Sequence, residues 1–404
     1  MGKKNKSVSI TEDIKTISKP TICLNMIVKN EAKNIVETLD NLSKYILFDY
    51  WVICDTGSTD TTKELITDWF KERDIKGELI DDEWKNFSHN RTRALQNAFG
   101  KTDYLLIWDA DDRIRGEFKL PFTFEKSNTK PVPLFDMYSL KMGKDYTWER
   151  PLILNNKKKF KYVGVTHEYL EGDEPNISSA KIEGDYYIDA GTFGCRSQNP
   201  NKYYDDAITL EKEFECEIIE EGKLAPRYAF YCAQSWRDTG KEEYIDNSIT
   251  WYKKVLDLNG WLQEKFVACI NLGNFYIKKS DVLMACKYWL KSLEYDAERI
   301  EGVVLTMDAY RIFDNHISVV LLYHKYKNYN RNIGVNKLFI DKTKYNGLLE
   351  YNYSISAFYV KGEEKIGYVN CKKILREKLL HQIYLTSTEN NLKIYETNKK
   401  KEIQ

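Results

Sequence analysis

Four short apolar runs, each ending in polar residues, alternate with amphipathic helical stretches as far as Asp112, and nothing else constrains this chain as tightly. The runs are Thr21–Val28, Tyr50–Asp55, Gly77–Ile80 and Tyr104–Trp108. Between them, Glu31–Leu42 places Ala32, Ile35, Val36, Leu39 and Leu42 on one helical face. A second helix opens near Thr61, with Glu64 completing a capping box, and turns Leu65, Ile66, Trp69 and Phe70 inward. A third, Ser88–Phe99, buries Ala94, Leu95, Ala98 and Phe99 and stops at Gly100. Strands separated by helices of this length predict an α/β domain with a mainly parallel sheet covered on both faces. Ligands of such sheets bind beyond the carboxyl ends of the strands, where the polar clusters after Val28, Cys54, Ile80 and Trp108 fall.

From about Asn199 the pattern changes to helices without strands. Arg227–Asp238 pairs with Lys241–Asp257, Gln263–Lys279 with Val282–Tyr295, and Val303–Asp314 with Ile317–Tyr326. Leu348–Tyr359 and Glu363–Arg376 make a fourth pair, and small residues such as Gly273 and Ala285 allow close approach of paired helices. Helix pairs at this period read as tetratricopeptide-like units. The expected organisation is a disordered segment 1–19, a catalytic domain 20–198, a helical-repeat domain 199–386 and a flexible tail 387–404.

Lys+Arg and Asp+Glu both total 61. That balance argues against nucleic-acid binding, which needs a basic excess or stripe. No apolar run has the roughly 20 residues that span a bilayer, and the polar start Met1-Gly2-Lys3-Lys4 lacks a secretory signal's apolar core. A cytoplasmic protein is expected, with peripheral membrane association left open. Eight cysteines occur without a C-x-x-C pair and read as buried free thiols.

Asp109, Asp111 and Asp112 crowd the end of the fourth strand, where their mutual repulsion would be relieved by a cation. Hard oxygen ligands suit Mn2+ or Mg2+, which can share its shell with diphosphate oxygens. The alternative is a solvated acidic turn. Asp55 closes the second strand before Thr56-Gly57-Ser58, where it can bind a base or ribose, or simply shape the turn. Glu31 either lines the same pocket or favours its helix's N-terminus. Arg91 and Arg93 open the third helix, and one can face a diphosphate. His167, in Val165-Thr166-His167-Glu168, can be a ligand or a structural residue. No G-x-G-x-x-G, G-x-x-x-x-G-K-[ST] or G-x-S-x-G is present, which disfavours dinucleotide binding, a P-loop and a hydrolase elbow.

Taken together, Leu24–Glu31, Val52–Thr61 and Ile107–Asp112 make Thr21–Arg115 resemble the family 2 glycosyltransferases of the GT-A fold. Phe87–Arg91, Gly164–Glu168, Arg227–Ser235 and Tyr353–Tyr359 are similar to recurring segments of a subgroup with a tetratricopeptide-like C-terminal half. The resemblance implies that Asp55 holds the nucleobase, with Ile27, Val28, Lys29 and Glu31 nearby. It implies Asp109 and Asp111 on ribose and metal, His167 completing the metal shell, and Arg91 supporting the nucleotide. Thr92 stands where that subgroup usually has Asn, and Asp112 replaces its common Glu. The implied activity is metal-dependent transfer of a hexose from a nucleotide sugar, UDP-linked by the same resemblance, to an acceptor hydroxyl with inversion. Glu168 and Asp189 are the candidate bases. The acceptor (protein, glycan or lipid) is open, and the helical half would shape its site, bind a protein partner or self-associate. Two other readings stand beside this one: an inert binding scaffold, and a nucleotidyltransferase on a related fold.

Overall fold

In the computed structural model, which describes residues 19–122, 134–191, 194–331, 333 and 337–403, the four apolar runs are the parallel core of one twisted sheet. Its elements begin β1 (Ile22–Val28), α1 (Ile35–Ser43), β2 (Tyr50–Asp55), α2 (Thr62–Glu72), β3 (Gly77–Asp81), α3 (Phe87–Ala98) and β4 (Tyr104–Ile107). β1 is buried on both faces, which is why it reads as one unbroken apolar run rather than an alternating one. Strand order is β3-β2-β1-β4, with Val28 registered on Asp55 and Asn25 on Ile107. The carboxyl ends of β1, β2 and β4 therefore converge on one edge.

The rest of the sheet is antiparallel in its main joints. After β5 (Arg113–Gly116) come β6 (Met137–Met142), β7 (Tyr146–Asn155), β8 (Phe160–Val163), β9 (Tyr169–Gly172), β10 (Ser179–Lys181) and β11 (Tyr186–Asp189). β7 runs antiparallel to both β4 and β6, and β11 is antiparallel to β5. A long hairpin can pair in this way without a crossover helix, so the helix-strand alternation that marks the first half stops there.

Two local expectations are corrected. α1 begins at Ile35, because residues 31–34 form a turn. Thr61 makes no side-chain cap; Asp60 serves instead, its Oδ1 accepting from the Thr62 N–H at 3.1 Å and its Oδ2 from the Ala32 N–H at 3.2 Å. One carboxylate thus ties the α2 start to the loop after β1.

The helical half comprises α4 (Lys202–Ile219), α5 (Ala225–Asp238), α6 (Ile245–Asp257), α7 (Leu262–Lys278), α8 (Val282–Lys291), α9 (Glu301–Ile312) and α10 (His316–Tyr326). A short strand, β12 (Ile340–Asp341), then pairs with Tyr146–Thr147 of β7, before α11 (Leu348–Ser356), α12 (Glu364–Glu377) and α13 (Gln382–Ile403). A Cβ on Gly273 or Gly302 would collide with Trp289, so both neighbours of α8 approach it through a glycine. The stretch expected to fray after Ser387 is instead helical, and Tyr395 is buried with its hydroxyl donating to the Ser354 carbonyl at 2.7 Å. The first 18 residues lie outside the described residues. Cys23, Cys54, Cys232, Cys269, Cys286 and Cys371 are free and buried, while Cys216 is free and exposed. Among the described residues, no helix is long and apolar enough to cross a membrane.

Candidate active site

Asp55 ends β2 with its Oδ1 accepting from the N–H groups of Gly57 at 3.0 Å and Ser58 at 2.7 Å. Gly57 sits at φ +100°, which the turn requires and which an L side chain resists. Asp55 is buried, and its Oδ2 has no hydrogen-bond partner among the described residues. A buried acceptor left unmade is costly, so a free carboxylate oxygen held at a strand's carboxyl end is a site for a donor group.

The loop after β1 forms the neighbouring wall. The Val28 carbonyl accepts from the Thr56 N–H at 2.8 Å and its hydroxyl at 3.0 Å. Ile27 is half-buried, Lys29 exposed, and Asn30 takes a left-handed φ of 55° that Asn tolerates. Glu31 is buried; its N–H donates to the Thr62 hydroxyl at 2.7 Å, and its carboxylate accepts from Asn34 at 3.0 Å. Glu31 and Asp111 face the same glycine, because a Cβ on Gly194 would press on both carboxylates.

Beyond β4 the three aspartates have different surroundings. Asp109 accepts from Arg91 Nη2 at its Oδ1 and from Arg150 Nη1 at its Oδ2, each at 2.6 Å. Burial opposes its ionisation, but Arg150 and Arg91 prevail and hold it well below the usual carboxylate range. Burial, and then the Asp109 charge, raises Asp111, although its Oδ2 accepts from the Gly194 N–H at 3.0 Å. Burial and Asp109 likewise raise Asp112, which accepts from the Gly191 N–H at 3.2 Å and lies 3.9 Å from Arg150. Asp109 and Arg150 leave 24% and 26% of their side chains exposed, so both stay open to solvent at the sheet's edge.

Arg91 reaches Glu168 with its Nε at 2.7 Å, so one guanidinium joins Asp109 to the loop after β8. Thr92 has work of its own: its hydroxyl accepts from the Tyr162 N–H at 2.9 Å, fixing α3 to β8. His167 has a left-handed φ of 51° and stacks on Tyr231 with ring centroids 4.2 Å apart. Desolvation, then the charges of Arg227, Arg196 and Lys202, lowers the pKa of its imidazole, although the residue itself is exposed. Its carbonyl accepts from Arg227 Nε at 3.0 Å and Nη2 at 2.8 Å, which places α5 of the helical half against the loop. Asp189 is half exposed and pairs with Arg115 at 3.3 Å.

The structure therefore brings Asp55, Glu31, Asp109, Asp111, Arg91 and Glu168 to one edge, but does not gather Asp109, Asp111 and His167 into one ligand set. Among the described residues, no group of three or more His, Cys, Asp or Glu side chains is placed to hold a metal ion. Both Asp109 oxygens are engaged by guanidinium groups. Asp111 does suit a cation shared with phosphate oxygens, since a magnesium-like ion needs only one or two protein carboxylates. Sequence reasoning missed Arg150, Gly191 and Gly194. The signal for Arg150 was an arginine two residues before the apolar run Leu152-Ile153-Leu154.

No curated protein matches the chain. Among solved structures, it is similar to a mannosyltransferase from Pyrobaculum calidifontis in complex with GDP-Man and Mn2+, at 12% identity and a TM-score of 0.35, covering 69% of this chain and 88% of that one. It is also similar to S. aureus TarS 1-349 in complex with UDP, at 15% identity and a TM-score of 0.28, covering 79% of this chain and 95% of that one. Both likenesses are distant, and the functional reading rests on neither. Residues 23–161 match the model of the family described as Glycosyl transferase family 2. That segment contains Asp55, Arg91, Asp109, Asp111 and Arg150, and the match supports a family 2 glycosyltransferase reading for this N-terminal region.

Proposed function

We propose that this chain is a glycosyltransferase that moves a hexose from a UDP-sugar to an acceptor hydroxyl with inversion. The observation that carries the reading is the buried Asp55 Oδ2 at the sheet's carboxyl edge, unpartnered among the described residues. A carboxylate that can only accept suits a base presenting a ring N–H, as uracil does, and repels one presenting a bare ring nitrogen, as adenine does. Asp109 retains lone pairs beside its two ion pairs and is placed for a ribose hydroxyl. Arg91 and Arg150 set positive charge beside it, where a leaving diphosphate gains negative charge. Mn2+ or Mg2+, when bound, supplies further positive charge to that diphosphate, and Asp111 is the side chain suited to share it.

In inverting transfer the acceptor hydroxyl attacks the sugar carbon as the sugar–phosphate bond breaks, and a carboxylate takes the hydroxyl proton. Glu168 is the better placed candidate base, since Arg91 joins it to Asp109, whereas Asp189 pairs with Arg115. The helical half, tetratricopeptide-like in its pairing, would face the acceptor.

Incubating the purified chain with UDP-glucose, UDP-N-acetylglucosamine or GDP-mannose, with Mn2+ or with chelator, tests this directly. Release of UDP from a UDP-sugar with metal is expected, and its loss in a folded Asp111→Asn variant. Failure to bind any nucleoside diphosphate, with or without metal, would end the catalytic reading.

A further inference from the structure

A cleft of about 180 Å³ opens in the helical half. Asn271 and Asn274 of α7, Leu305 of α9, and Phe339, Asp341 and Lys344 around β12 line it, over a floor of Arg299 and Glu301. We propose that it is an acceptor subsite that takes a neutral, polyhydroxylated chain, a glycan; this rests on the glycosyl-transfer reading above.

The first support is charge. Arg299 is paired with Glu301 at 2.6 Å and Lys344 lies 3.6 Å from Asp341, so the lining charges cancel in pairs. A phosphate or a cation would have to break one of those pairs, whereas hydroxyl groups can add to the partly exposed Asp341 carboxylate and Lys344 ammonium. The second is a spare donor. Asn274 accepts from Trp289 Nε1 at 3.1 Å, which fixes its amide, and its Nδ2 has no acceptor among the described residues. Polar atoms beside the apolar surfaces of Val267, Ile270, Leu305 and Phe339 match the two-sided character of a sugar ring.

The third support is the way the wall is built. Phe339 adopts a left-handed φ of 49°, uncommon for a bulky residue. The buried Arg299 holds it there, donating to the carbonyls of Leu338 at 2.7 Å and Phe339 at 3.2 Å. Backbone kept in such a conformation by its surroundings is characteristic of functional positions.

Position is the fourth. β12 pairs with Thr147 at the start of β7 and β4 pairs with its end, so Arg150 lies between the two pairings. Three residues of strand put Thr147 about 10 Å from Arg150. Along α7, Glu264 contacts Arg227, which holds the His167 turn. Asn271 and Asn274 follow about 10–15 Å further along that helix. The cleft is thus a short oligosaccharide's length from the catalytic edge by two independent routes.

Saturation-transfer NMR of the full chain with chitotriose, maltotriose and mannotriose tests the proposal, with a parallel UDP titration. Asn274→Asp keeps the oxygen that receives Trp289 and replaces the donor with a charged acceptor, while Ile270→Phe fills the cleft. At least one trisaccharide should bind the wild type and bind each folded variant about fivefold more weakly, with UDP affinity unchanged. No binding of any of the three, or equal binding by both variants, would overturn the subsite. Absent UDP binding with sugar binding intact would instead overturn the glycosyl-transfer reading.

Discussion

The arginine–carboxylate cluster of Asp109, Arg91 and Arg150 at the carboxyl edge of the sheet and that of Arg299 and Glu301 in the helical half differ in what they leave open. Arg299 and Glu301 are 2% and 3% exposed, and their polar atoms are taken up by each other, by Gln263, by the Leu338 and Phe339 carbonyls and by the Tyr345 hydroxyl. At the edge, Asp109 and Arg150 form equally short contacts but keep about a quarter of each side chain open to solvent. The same chemistry makes a sealed brace in one place and a ligand-facing clamp in the other. Water access, rather than the number of ion pairs, separates them.

Removing one partner from the sealed brace should have the largest effect. Arg299→Ala leaves Glu301 buried and unpaired, a loss of about 3–5 kcal/mol of stability. It should appear as a much lower melting temperature, and a wild-type-like melt would show that the brace carries no load. Arg150→Ala should separate the two roles. A change of about 1 kcal/mol or less in stability is expected, because its pair is partly solvated. UDP affinity should drop about tenfold or more as a charge-assisted contact to the diphosphate is lost. The reverse outcome, a large stability loss with unchanged UDP affinity, would make Arg150 a brace as well.

A pH-dependent effect is expected at the seam between the regions, where Arg227 holds the His167 carbonyl and lies 3.4 Å from Glu264. Burial raises Glu264 from 4.5 to about 7, with Arg227 opposing. A carboxyl raised on folding favours the folded state below its unfolded value and gives up that stability as pH climbs through its folded one. Stability should therefore decline between about pH 4.5 and 7 by about 2–3 kcal/mol relative to Glu264→Gln, which cannot ionise. Parallel melting profiles for the two proteins across that range would remove Glu264 from the account.

What the sequence disclosed follows from how local its signals are. The parallel strands announced themselves because each is flanked by its own helix, and Asp55 and Asp109 were legible as polar residues closing apolar runs. Arg91 was legible for the same reason, at the head of α3. Arg150 was not, because it reaches Asp109 through the antiparallel pairing of β7 with β4, and long-range pairing leaves no mark on neighbouring residues. Among the described residues Asp109, Asp111 and His167 do not come together as one ligand group, and the Tyr231 ring that stacks on His167 comes from a helix that begins more than fifty residues later. The capping residue of α2 was misread by one position, since Asp60 and Thr61 are both capping types and only the geometry separates them.

The most direct test of the central claim is calorimetric titration of UDP into the wild type and Asp55→Asn. The asparagine can keep its oxygen on the Gly57 and Ser58 N–H groups and then presents an N–H group where Oδ2 stood. The account predicts that UDP binds the wild type and binds the folded variant about ten- to a hundredfold more weakly. Equal affinity in the two proteins would contradict it.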